Sequence, residues 1–169
     1  SFQDSPELDA ARLAFLAGTP NASEDDPHLP PSAQGPSPIY TPSDVLRIVT
    51  SFLALTSIPR KTRLMVAFNF SGIEDRSRAC FKAFGDNFVD RYGKLLISTG
   101  LKLGLDNRTG EHGYTIDTKV AYPNFQYNSF PFRATFHRPT QGPLKHCWLV
   151  SFGPDPFYEP KLPSSQNTS

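Results

Sequence analysis

The spacing of apolar residues divides this chain into an N-terminal arm, a compact middle and a polar tail. Ser5-Pro6-Glu7 places an N-cap hydroxyl before a proline at the first helical position and an acid in the first turn, the arrangement that opens a helix. Leu8, Ala11, Phe15 and Leu16 then share one face, and Gly18 ends the run. From Thr19 to Pro38 there are six prolines and the acid run Glu24-Asp25-Asp26, with little to bury, so a flexible linker is expected. Periodicity returns at Thr41-Pro42-Ser43-Asp44, which repeats the capping pattern with Asp44 in the capping-box position. Val45, Leu46, Val49, Phe52 and Leu53 give this second helix its apolar stripe, and Pro59 stops it.

Beyond Pro59 the period changes. Leu64, Val66, Phe68 and Phe70 alternate with Met65, Ala67 and Asn69, which predicts a strand with one face buried and Asn69 on the other. Helical spacing resumes over Ile73–Ile97, where Cys80, Phe84, Phe88 and Tyr92 are each four apart. Three further strands are expected around a turn at Asp106-Asn107-Arg108-Thr109-Gly110, with a weak one at Leu101–Leu105 before it. Tyr114, Ile116, Thr118, Val120 and Tyr122 share a face, as do Phe130, Phe132, Ala134 and Phe136. In the last strand Cys147 and Leu149 point one way and Trp148, Val150 and Phe152 the other. It is therefore either covered on both faces or carries an exposed Trp148 and Phe152 platform suited to carbohydrate.

The sum is an α+β protein: an antiparallel sheet of four or five strands packed on a long helix, preceded by N-terminal helices. Its element order after the second helix resembles that of cystatin-like, wrapped-helix folds. Residues 1–40 read as helix and linker, 41–160 as a single domain and 161–169 as a disordered tail. The 17 prolines are roughly twice the average usage and gather toward the ends. That leaves a folded part of about 130 residues, the size of one ordinary domain.

Charge narrows the function. The formal net charge is +1, so the strong basic excess of most nucleic-acid binders is missing and no nucleic-acid partner is expected. No run of 18 apolar residues predicts a membrane span. The chain begins at Ser1, which reads as a mature protein whose targeting peptide has been removed. Four N-x-Ser/Thr acceptors, Asn21, Asn69, Asn107 and Asn167, stand where roughly one would be expected by chance. Together these predict a secreted, extracellular glycoprotein. In that setting the only two cysteines, Cys80 and Cys147, read as a disulfide. It would close a loop of about 67 residues and be worth roughly 4 kcal/mol in the chain-entropy model.

Candidate chemistry is sparse. Nucleophile elbow, zinc-protease helix, phosphate-binding loop and dinucleotide fingerprint are all missing from the sequence, so neither a catalytic residue nor a cofactor or metal is assigned. His28 falls in the linker. His137, His146, Glu111 and Arg133 would supply acid, base and phosphate clamp for RNA cleavage if they met at one sheet edge, as in fungal secreted ribonucleases. The Glu-aromatic-Pro strand of those enzymes has no counterpart here. Binding has a better candidate. The segment 122–130 links two strands with four aromatics among polar residues, so Asn124, Phe125, Gln126 and Tyr127 read as a recognition loop. Phe157 and Tyr158, stiffened by Pro154 and Pro156, read as a second contact.

In its removed leader, proline- and serine-rich spacer, compact aromatic domain and want of a catalytic motif, the chain resembles small secreted effectors of plant-pathogenic fungi. That resemblance implies a monomeric, non-enzymatic virulence protein of the apoplast. It would bind and inhibit a host extracellular protein, most concretely a papain-like cysteine protease. The Q-x-V-x-G and Pro-Trp loops of cystatins are absent, which leaves segment 122–130 with Phe157 and Tyr158 as the inhibitory surface. A ribonuclease-like protein, active or catalytically dead, is the alternative.

Overall fold

In the computed structural model, residues 6–17, 35–121 and 129–152 are described. Among these residues four α-helices precede four strands: α1 (Pro6–Ala17), α2 (Pro42–Leu53), α3 (Arg60–Ser71) and α4 (Arg78–Tyr92), then a 3-10 turn at Gly93–Ile97. The strands β1 (Gly100–Gly110), β2 (Gly113–Ala121), β3 (Ser129–His137) and β4 (Leu149–Phe152) form an antiparallel meander in the order β1-β2-β3-β4.

Capping in α2 is as expected. Thr41 Oγ1 accepts from the Asp44 amide at 3.1 Å, and the Asp44 carboxylate accepts from the Thr41 amide at 3.0 Å. Its stripe Val45, Leu46, Val49 and Leu53 is fully buried. The segment expected to be the first strand is instead helix α3. Every residue from Thr62 to Phe70 is buried, because α3 is packed against α2, α4 and β4. A helix enclosed on all sides needs apolar residues all round, and a short continuous apolar run does not distinguish it from a buried strand. Gly72, at φ 70°, ends α3 in the left-handed conformation that glycine tolerates best.

Correcting α3 also removes the cystatin-like element order: the helices are consecutive, and the sheet follows. Helix α4 begins at Arg78 rather than Ile73, with Ser77 Oγ accepting from the Cys80 amide. Gly85 is buried in α4 facing Leu64 of α3, where a methyl would be in ordinary contact at 3.5 Å.

In the sheet the alternation holds. Ile116, Thr118 and Val120 of β2 and Phe132, Ala134 and Phe136 of β3 face the core. The expected turn at 106–110 is part of β1, whose register with β2 is shifted between Leu103 and Asp106 and again between Arg108 and Gly110. Bulges of this kind keep a polar Asp-Asn-Arg run in a strand, and Glu111-His112 makes the turn instead. One core runs from α2 to β4, and Tyr92 ties its ends together. Its ring packs on Phe88, Phe130, Phe132 and Phe152, and its hydroxyl donates to the Phe152 carbonyl at 2.7 Å. A second, smaller core (Leu144, Cys147 and Leu149 under Phe15 of α1) covers the opposite side of β4.

Both faces of β4 are therefore covered. Trp148 is 6% exposed, in edge contact with Tyr114 and beneath the Arg138 guanidinium, so the exposed carbohydrate platform is not formed.

The disulfide expectation is overturned: Cys80 and Cys147 are not bonded to each other. Cys80 lies in the first turn of α4 against the main core, whereas Cys147 belongs to the second core. Alternation along the chain near β4 turns Cys147 away from the face on which Val150 meets the main core, so the strand separates the two sulfurs.

Candidate functional site

A groove of about 430 Å³ lies between α4 and β4. One helical face of α4 forms the first wall, with Cys80, Ala83, Phe84, Asn87, Phe88 and Arg91 at spacings of three and four. Val150, Ser151 and Phe152 of β4 form the second, and Ala67, Ser71 and Ile73 lie between them. Its position follows from the fold. β4 is only four residues long and lies at the sheet edge, so α4 reaches past it and leaves a cleft.

The groove is mostly apolar and aromatic. Phe84 packs between Phe68 and Phe88, and Phe88 meets Phe152 edge-on at 5.4 Å. Polar groups stand at its margins. Asn87 and Arg91 are exposed on α4, Ser151 is exposed on β4, and Ser71 Oγ donates to the Phe68 carbonyl at 2.5 Å.

Behind the groove Arg76 is held between the rings of Phe15 and Phe68, at 4.8 and 4.3 Å, and donates to Asn69 Oδ1. Burial brings its guanidinium down to about 10, although the nearby Cys80 acts in the other direction. This explains a second correction: Asn69 is fully buried in α3 as an acceptor for Arg76, so it cannot carry the expected glycan in the folded protein. Asn107 is exposed in β1. Asn21, Asn167 and His28 lie outside the described residues, as do Asn124, Phe125, Gln126, Tyr127, Phe157 and Tyr158.

The ribonuclease set assembles only in part. Arg133 of β3 lies opposite Asp117 of β2 and donates to both of its carboxylate oxygens, at 2.6 and 3.2 Å. That bond raises the guanidinium's proton affinity and occupies it. His137, four residues further along β3, is about 13 Å away at the rise of an extended strand. His146 has His112, Arg138 and Lys145 around it, at the same end of the sheet as His137 and Glu111, so Arg133 is the member that stands apart. Among the described residues, no group of His, Cys, Asp and Glu is arranged to hold a metal ion, and no helix is long and apolar enough to cross a membrane.

These features define an α+β protein in which three consecutive helices pack on a four-stranded antiparallel meander with a groove at the β4 edge. Comparison with family models, curated proteins and solved structures finds no match for the chain.

Proposed function

We propose that the chain is a non-enzymatic binding protein that takes a small amphiphilic molecule in the α4–β4 groove. The observation that carries this reading is the groove itself: about 430 Å³, walled by Phe84, Phe88, Val150 and Phe152, with Asn87 and Arg91 at its rim. Pockets for small ligands typically occupy about 300–1,000 Å³, mostly apolar with a few placed polar groups. A flat apolar body would lie against the rings, and an anionic end would face Arg91.

The extracellular address stays part of the proposal on narrower grounds, since the disulfide and the Asn69 sequon no longer contribute and Asn107 is the exposed acceptor among the described residues. Inhibition of a host papain-like cysteine protease remains a proposal of the sequence alone, because its contact residues lie outside the described ones.

The test is fluorescence titration with 1-anilinonaphthalene-8-sulfonate, which has a flat apolar body and one anionic group. Saturable binding at one site is expected. Ala83→Trp, an exposed helical position facing the groove, should abolish it with the circular dichroism spectrum unchanged, and Arg91→Gln should weaken it several-fold. Equal binding by wild type and Ala83→Trp would refute the assignment.

A further inference from the structure

A second site lies at the end of the sheet, away from the groove. The β1–β2 turn presents Glu111 and His112, the end of β3 presents His137 and Arg138, and the β3–β4 loop presents Lys145 and His146. Two guanidinium groups converge on one oxygen there. Arg108 Nη2 and Arg138 Nη2 each donate to the Glu111 carbonyl at 3.0 Å, and Arg108 Nε donates to the Gly110 carbonyl at 2.9 Å. Two cations sharing one neutral acceptor repel each other, a cost that an anion between them would remove.

The site is built rigidly. Arg138 lies 4.7 Å over the Trp148 ring, and its amide donates to the His112 carbonyl at 3.0 Å. In the loop, Leu144 and Cys147 are buried on either side of Lys145-His146 and hold that pair in place. The His146 amide donates to the Pro139 carbonyl at 3.1 Å. His146 itself has φ 71°, the one positive value at a non-glycine among the described residues. Backbone conformations of this kind are retained where surrounding packing imposes them, often at binding sites.

We propose that this end of the sheet is an oxyanion site for a phosphate group, held by Arg108, Arg138, Lys145 and the imidazoles of His112 and His146. Its cations Arg108, Arg138 and Lys145 outnumber the two nearby carboxylates: Asp106, which accepts from the Tyr114 hydroxyl at 2.6 Å, and exposed Glu111, with an oxygen 3.9 Å from His112 Nε2. The proton affinity of His146 agrees: it is lowered by burial first and then by the positive charges of Lys145, Arg138 and His112. A dianionic phosphate reverses that field. The chemistry differs from the apolar groove, and it stands whether or not the groove binds an amphiphile.

The experiment follows the His146 imidazole by proton–carbon NMR, and the fluorescence of Trp148, the chain's single tryptophan, as inorganic phosphate is added at constant ionic strength. Phosphate should saturate both signals and raise the His146 midpoint by about one unit, the effect of an opposite charge within a few ångströms. Arg108→Gln/Arg138→Gln should lose the response. Lys145→Gln should weaken it several-fold in a protein with an unchanged amide spectrum. Sulfate should compete, as a doubly charged oxyanion of the same shape. No saturable response, an equal response to chloride, or full phosphate affinity in Lys145→Gln and in the double variant would overturn the site.

Discussion

Arg63 offers the most direct test of how the helical layer is held together. It is 8% exposed in the first turn of α3, where it serves three backbone carbonyls rather than a carboxylate. Nε donates to Ile58 O at 2.9 Å, and Nη1 donates to Leu53 O at 2.8 Å and Leu96 O at 3.0 Å. Leu53 is the last residue of α2, so its carbonyl lacks a partner within its own helix. One side chain thus joins the end of α2, the α2–α3 connection and the 3-10 turn after α4. Burial, with a smaller contribution from Arg60, lowers its proton affinity. Arg63→Met keeps the length and removes every donor. Three charge-assisted bonds at the low end of their range are together worth about 4–5 kcal/mol. Removing a buried cation and packing a thioether in its place returns part of that, leaving a loss of about 3 kcal/mol. Urea unfolding followed by far-ultraviolet circular dichroism should show a midpoint lower by about 1.5–2 M for a slope near 1.5–2 kcal/mol/M. Arg63→Lys, which keeps the charge without the planar fork, should lose roughly half as much. A midpoint within about 0.5 M of the parent for Arg63→Met would refute the carbonyl-clamp reasoning.

Thiol titration without reductant should find two free thiols per denatured chain, and in the native state half-buried Cys80 should react well before Cys147; finding none would restore the disulfide. Gly72→Ala should cost about 1–2 kcal/mol, because a Cβ is strained at φ 70° and would run into Leu149. A thermal midpoint equal to the parent's would contradict that. For His146 the folded proton affinity lies below the unfolded one, so its contribution to stability is present above about pH 6.5 and is lost as pH falls through the folded value. His146→Gln should therefore flatten the mildly acidic side of the stability profile; an unchanged profile would show that His146 does not feel the cations around it. In a secretory host, mass spectrometry should find glycan at Asn107 and none at Asn69 in folded protein, and a glycosylated, folded Asn69 would contradict its burial.

The parts legible in the sequence are those where one face of an element meets the core and the other meets water. In α2 the capping residues and stripe specify both its start and its buried face, and in β2 and β3 the alternation marks Ile116, Val120, Phe132 and Phe136 correctly. α3 was not legible for the opposite reason. It has no solvent face to supply polar residues, its N-cap is Pro59 without a side-chain bond, and its run of Leu, Val and Phe also suits a strand. The bulged half of β1 misled through composition: Asp-Asn-Arg-Thr-Gly carries turn residues, yet the hairpin with β2 absorbs them by shifting register.

The sites were legible in proportion to how local they are. The period-four row Cys80, Phe84, Phe88, Tyr92 pointed to a buried stripe, and the groove lies along its margin, where Ala83, Asn87 and Arg91 follow at adjacent helical positions. What opens it is the shortness of β4 beside a longer helix, a property of two elements separated in the chain that neither announces alone. The oxyanion cluster is more distant still. Arg108, His112, Arg138 and His146 come from β1, a turn, the end of β3 and a loop, and only the meander order brings them together. Composition concealed them, because a net charge of +1 averages this cationic corner with carboxylates elsewhere, including the Asp117 that neutralises Arg133. A near-neutral chain can therefore carry a locally cationic site, and the lack of a bulk basic excess argues against wrapping a long polyanion more than against holding one phosphate group.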